Sequence, residues 1–166
     1  MNNRLFTLLL LILTAVGSSF CQDKSNRNTH DMNDDKEYEI SKSESEWEEI
    51  LSPEEFGVLR KKGTEYRFMG EYNDFHKKGI FVCAGCGNEL FHSKTKYNSG
   101  SGWPSYYKPI TEDAVDIVID NSLGTTREEI LCSKCGGHLG HMFNDGPDPT
   151  GLRYCVNSVS LDFKKK

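Results

Sequence analysis

Two copies of one short pattern, Cys83-Ala-Gly-Cys86-Gly and Cys132-Ser-Lys-Cys135-Gly, constrain this chain more than any other feature. Cysteines at this spacing can aim both sulfurs at one ion from a tight turn. The glycine that follows each pair lets the backbone fold so that amides approach the thiolates. Four thiolates in a tetrahedron suit zinc or iron. The competing readings are disulfides or a thioredoxin-like redox pair, and the latter belongs beside a βαβ pattern that is missing here. The matched pair favours one structural zinc ion held by Cys83, Cys86, Cys132 and Cys135. A gap of about 45 residues separates the pairs, more than a zinc ribbon uses, so the ion is expected to clamp distant segments of one domain. With four sulfurs bound it has no open position, and the chemistry is expected elsewhere.

At 166 residues the chain suits one domain with accessories. Arg4 precedes a mostly apolar run, Leu5 to Val16, and then Gly17, Ser18 and Ser19, which is the layout of a secretory signal peptide. The run is shorter than the roughly 20 apolar residues of a transmembrane helix. Residues 1–21 are therefore expected to be a signal peptide. Lipid attachment at Cys21 is the alternative, although Phe20 stands where a lipoprotein signal carries a small residue. Either way the expected location is outside the cytoplasm, periplasmic or extracellular, with a membrane partner only if Cys21 is lipidated. An oxidising compartment threatens free CxxC thiols, and bound zinc is expected to protect them. Residues 22–44 are polar and charged and read as a flexible linker, leaving 45–166 as the folded domain. The net charge of -5 gives no footprint for nucleic acid, and the one basic cluster, Lys164 to Lys166, reads as a solvated tail.

The domain opens with Trp47, Ile50 and Leu51 at helical spacing, and Ser52-Pro53-Glu54-Glu55 reads as an N-cap followed by a proline and acids in the first turn. Two short helices are expected, the second ending near Gly63. Strands are expected at Ile80 to Val82, Glu89 to His92, Val115 to Asp120, Glu129 to Leu131, Leu139 to Phe143 and Tyr154 to Phe163. No long helical pattern separates them. The fold class is therefore mainly β, with antiparallel sheet and a few short N-terminal helices.

Cys155 is the cysteine left over. It can be a buried small hydrophobe, a partner for another chain, or a reactive thiol. In an extended Arg153-Tyr-Cys-Val-Asn157 segment, Arg153, Cys155 and Asn157 share one face. A guanidinium there would lower the Cys155 pKa, unless Arg153 pairs with an acid and the thiol is inert core. His138 and His141 beside the second knuckle fit hydrogen-bonding or acid-base roles, or a structural one. They can line one site only if Gly140 bends the strand. Gly100-Ser-Gly102-Trp103-Pro104 presents an indole that is either core or a wall for a sulfur-bearing methyl group.

Together these segments resemble the B-type methionine sulfoxide reductases, which act on the R epimer. The resemblance runs from about Trp47 to Phe163. It is carried by Gly63-Thr-Glu65, Gly70-Glu-Tyr72, both knuckles, Gly102-Trp-Pro-Ser105, Lys108-Pro-Ile110, Gly137-His-Leu-Gly-His141, Asp145-Gly-Pro147 and Pro149 through Ser158. It implies two antiparallel sheets with a few short helices and a zinc site away from the chemistry. By the same resemblance Cys155 attacks the sulfoxide sulfur and becomes a sulfenic acid. Trp103, with Phe143, contacts the substrate. His138, His141 and Asn157 bind or protonate the sulfoxide oxygen, and Arg153 supports the thiolate. Many members carry a resolving cysteine where this chain has Ser101. A one-cysteine cycle is therefore expected, drawing on an external reductant, thioredoxin-like or a small thiol. The implied substrate is oxidised methionine, free or in proteins. The rival is a zinc-stabilised binding module or zinc chaperone without turnover, for which Cys155 would be dispensable.

Overall fold

The computed structural model describes residues 36–166. The expected signal peptide, 1–21, and residues 22–35 of the expected linker lie outside the described residues. Both short helices form because serine caps them. In α1 (Glu44–Ile50) and α2 (Pro53–Leu59) the Ser43 and Ser52 hydroxyls accept from the amides of Glu46 and Glu55, whose carboxylates return to the serine amides. Each such cap contributes about 1 kcal/mol. Helix α2 stops at Leu59, short of Gly63, because Lys62 adopts a left-handed φ of 55° and the Gly63 amide folds back to the Gly57 carbonyl. Residues 36–43, expected in the linker, lie against the domain. The Ile40 amide donates to the Lys134 carbonyl and the Ile40 side chain packs on the core.

Among the described residues nine strands follow: β1 (Gly79–Cys83), β2 (Glu89–His92), β3 (Lys96–Tyr97), β4 (Ser105–Tyr106), β5 (Val115–Asp120), β6 (Arg127–Cys132), β7 (His138–Phe143), β8 (Arg153–Val156) and β9 (Leu161–Lys165). They make two antiparallel sheets, ordered β2-β1-β9 and β3-β4-β8-β7-β6-β5, as the resemblance implies. Aromatic rings join the sheets: Tyr106 of the larger stacks on Phe91 of the smaller at 4.3 Å and meets Phe81 edge-on at 5.3 Å. Burying such rings is the main favourable contribution to the core, at about 25 cal/mol per Å².

The expected strand from Tyr154 to Phe163 is two strands in different sheets. Strand β8 pairs with β4 and β7, whereas β9 pairs with β1. A 3-10 turn at Ser158–Ser160 separates them, and polar bonds hold it. Glu65 accepts from the Ser158 and Val159 amides at 2.7 and 3.1 Å, and the Ser158 hydroxyl accepts from the Tyr72 amide. Serine at 158 and 160 thus serves a crossover that an alternating strand pattern conceals.

Candidate active site and metal centre

Strand β1 delivers Cys83 and strand β6 delivers Cys132, and each continues into a turn that returns the second cysteine of its pair. The four sulfurs lie within 4.8 Å of one another. Cys83 and Cys135 are 3.7 Å apart and Cys86 and Cys132 are 3.5 Å apart. A disulfide needs about 2.05 Å. A tetrahedron with metal–sulfur bonds of about 2.3 Å has edges of about 3.8 Å, which these separations approach. The donor set and its geometry fit one four-coordinate ion. The left-handed Gly87 and Gly136 fold the turns, and a Cβ on Gly136 would strike the Tyr38 ring at 2.5 Å.

The second constellation lies on the face of the larger sheet turned away from the core. Directly opposed residues share a face, and four of them form a row across it: Ser105 opposes Cys155, Cys155 opposes His141, and His141 opposes Glu129. The Ser101 hydroxyl lies 3.7 Å from the Cys155 sulfur, within a group of hydroxyls that includes Ser99 and Ser105. Burial pushes the Cys155 thiol up, against the opposing pull of Ser101 and Arg153. The guanidinium lowers the pKa as expected, but burial outweighs that pull and the net shift is upward. Arg153 is near, but it makes a two-pronged ion pair with Asp145 at 2.7 and 2.9 Å, and burial outweighs what remains of its charge.

His138 and His141 do reach one face, through more than a bend at Gly140. Ile130 opposes Gly140 while Leu131 opposes His138, so Leu139 is an extra residue, a β-bulge that restores both histidines to the same side. Their rings meet edge-on at 5.5 Å. Glycine is required at 140 because a Cβ would lie 2.0 Å from the Cys155 carbonyl oxygen. Each imidazole is oriented by a carboxylate. The Nδ1–H of His138 donates to Glu129 at 2.7 Å, and the Nε2–H of His141 donates to Asp120 at 2.8 Å. Burial lowers the His141 pKa despite Asp120, which favours the neutral ring.

Those carboxylates escaped the sequence reading. Glu129 is 1% exposed and also accepts from the Lys62 ammonium at 2.9 Å. Burial works to raise its pKa, but the bonds from His138 and Lys62 bring it below the ordinary value. Asp120 is held below the carboxylate range in the same way, burial being overcome by Ser122, His141 and Arg127. The signal for Glu129 was its parity. It shares a strand face with Leu131 two residues on, yet an Arg-Glu-Glu run reads as a solvated edge.

Asn157 departs from the expected alternation, because β8 ends at Val156. Its side chain is buried, accepts from the Thr64 hydroxyl and the Glu65 amide, and donates to the Leu139 carbonyl. It therefore ties the bulge of β7 to the 64–65 segment. Trp103 is half-buried in the turn that carries Ser101, and the Ser101 hydroxyl accepts from its amide. Phe143 opposes Arg153, whose guanidinium sits 4.2 Å over its ring.

Residues 51–165 match the SelR domain. The chain is 58% identical over 129 residues to the peptide methionine sulfoxide reductase MsrB of Leptospira interrogans serogroup Icterohaemorrhagiae serovar Lai, covering 78% of this chain and 98% of that protein. Proteins of the same name from Methanosarcina mazei, 55% identical over 76% of this chain and 91% of theirs, and Bradyrhizobium diazoefficiens, 54% identical over 80% and 94%, are similar along the same region. A family match across most of the chain and identities above one half place it plainly: the chain belongs to the SelR-domain family, the B-type methionine sulfoxide reductases.

Proposed function

We propose that this enzyme reduces methionine-R-sulfoxide, free or in polypeptides, through a sulfenic acid on Cys155. The observation that carries the reading is the row Ser105–Cys155–His141–Glu129 across one face of the larger sheet, beside the Trp103 turn. The Cys155 sulfur attacks the sulfoxide sulfur. The proton leaving the thiol goes to the sulfoxide oxygen by way of an imidazole, His138 or His141. The S–O bond then breaks, the oxygen transfers to Cys155 as Cys–SOH, and neutral methionine departs, so a thiol is oxidised as a sulfoxide is reduced. The indole of Trp103 would flank the substrate methyl, with Phe143 and its Arg153 cap closing the far side. Asn157 acts indirectly, holding the bulge that presents both histidines.

Ser101 sits where a resolving cysteine would lie in reach of Cys155, and serine forms no disulfide. Among the described residues the other cysteines all belong to the four-sulfur cluster. The cycle therefore closes with an external thiol. One equivalent displaces water from Cys–SOH to give a mixed disulfide, and a second releases Cys155 as the thiol with a disulfide as product. Zinc would be held by Cys83, Cys86, Cys132 and Cys135, stabilising structure with no open position for chemistry. Repair of oxidised exported proteins is the proposed task, resting on the signal-like sequence of residues 1–21.

Turnover of methionine-R-sulfoxide with dithiothreitol, comparing the wild type with Cys155→Ser, tests the assignment. Loss of at least three orders of magnitude is expected; a serine variant that retains turnover would overturn it.

A further inference from the structure

Of the six large hydrophobic residues that stand exposed among the described residues, three crowd into four consecutive positions: Tyr66 is 86% exposed, Phe68 58% and Met69 79%. Residues 66–69 form a tight turn, with the Met69 amide donating to the Tyr66 carbonyl. Phe68 adopts a φ of 67°, a left-handed conformation that is uncommon for a bulky residue. That conformation costs on the order of 1–3 kcal/mol. The gain in the folded protein is not core packing, because the ring remains in water under the Arg67 guanidinium, 4.8 Å away. The turn is nevertheless fixed to the active site. The Phe68 amide donates to the Gly102 carbonyl at 2.7 Å, one residue from Trp103, and a Cβ on Gly102 would collide with Arg67.

On its other side the same turn walls a groove of about 740 Å³. Tyr66 and Met69 line it with Pro53 and Val58 of α2, and so do Glu54, Glu55, Glu71 and Asp162. These four acidic side chains crowd the groove, and burial, with the Glu55 and Glu71 carboxylates, raises the Asp162 pKa. An exposed apolar turn continuous with the reacting centre, bordering an acidic channel, matches one kind of visitor. We infer that the 66–69 turn and its groove dock an extended, apolar and cationic stretch of polypeptide flanking the oxidised methionine, which makes them the surface that favours unfolded chains over free methionine sulfoxide. The inference rests on the sulfoxide-reductase reading and adds to it where the flanking chain lies. A folded substrate would not offer contiguous apolar side chains to such a turn, whereas an unfolded one would.

Steady-state kinetics of the full chain with three substrates test this. They are free methionine-R-sulfoxide, an unstructured peptide with one methionine-R-sulfoxide flanked by Leu, Phe and Lys, and the same peptide with Ser, Asn and Glu in the flanks. The apolar cationic peptide is expected to show a KM about tenfold below its polar acidic counterpart, a difference that burial of one or two side chains supplies. Tyr66→Ser with Met69→Ser should close that gap and leave free methionine sulfoxide unaffected. Phe68→Asn, which tolerates the left-handed turn, should narrow it independently. Equal KM values for the two peptides, or a gap that survives both sets of substitutions, overturn the inference. So does a parallel loss on the free substrate in both variants, which would make the turn structural. Concentration-dependent self-association abolished by the same substitutions would give the surface to a second copy instead. A wild type that reduces none of the three substrates sinks the reductase reading, and the docking surface with it.

Discussion

Burial pushes the Cys155 thiol up, which favours the protonated sulfur at neutral pH, and in the proposed mechanism this sets where the first proton comes from. A thiol with a depressed pKa would arrive as thiolate, and the sulfoxide oxygen would need a proton from elsewhere. In the proposed cycle the thiol would bring its own, and His141, its cross-strand neighbour with a lowered pKa, is a candidate to receive it. The sign follows for stability as well. Because the folded pKa lies above the unfolded value, this group contributes stability below the ordinary thiol range, and the contribution is lost as pH rises through the folded pKa. Alkylation of Cys155 by iodoacetamide in the metal-loaded protein should therefore climb about tenfold per pH unit past the ordinary cysteine value of about 8.5 before levelling. Arg153→Met should move the midpoint higher still, since the guanidinium pulls it down. A plateau reached below pH 7 would show that the sulfur is already a thiolate at rest. Elimination singled out Cys155 in the sequence and the family resemblance implied its role, but its environment was not legible, because the Asp145 partner of Arg153 and the buried Glu129 come from elements remote in the chain.

At the scale of elements, the bulge at Leu139 is the device that turns two oppositely facing histidines into neighbours. Gly140 permits it by close approach to β8, so Gly140→Ala should cost about 3 kcal/mol or more, read as a fall in thermal midpoint together with loss of turnover. Gly151→Ala is the control. It also has a left-handed φ, of 69°, but open space around it, so a cost of about 1 kcal/mol with turnover retained is expected. Equal costs at the two positions would mean that conformation alone, and not the approach to the Cys155 carbonyl, sets the requirement. Periodicity revealed β1, β2, β5, β6 and β7 within a residue or two. It could not reveal β3 and β4, because two residues carry no period, nor the break between β8 and β9. There, hydrogen bonds from Glu65 and Tyr72, nearly a hundred positions earlier in the chain, decide where the strand stops.

Across the whole molecule the four sulfurs bring the two sheets together at one point, where an ion would bind them to each other. Cys83 ends β1 in the smaller sheet, Cys132 ends β6 in the larger, and Cys135 leads through Gly136 and Gly137 into β7, which carries both histidines. Cys83, Cys132 and Cys135 are also part of the hydrophobic core, so losing a bound ion would leave buried thiolates to be neutralised as well as a clamp undone. Metal loss should therefore act on the fold first and on turnover through the fold. Cys86, the least buried of the four, is the place to test it. Cys86→Ser is expected to lower bound zinc, measured by atomic absorption, to well below one ion per chain. The thermal midpoint should fall by about 10 °C or more, with turnover per folded molecule at low temperature changing far less. A metal-free protein that keeps the wild-type midpoint would show that aromatic packing between the sheets suffices without the ion.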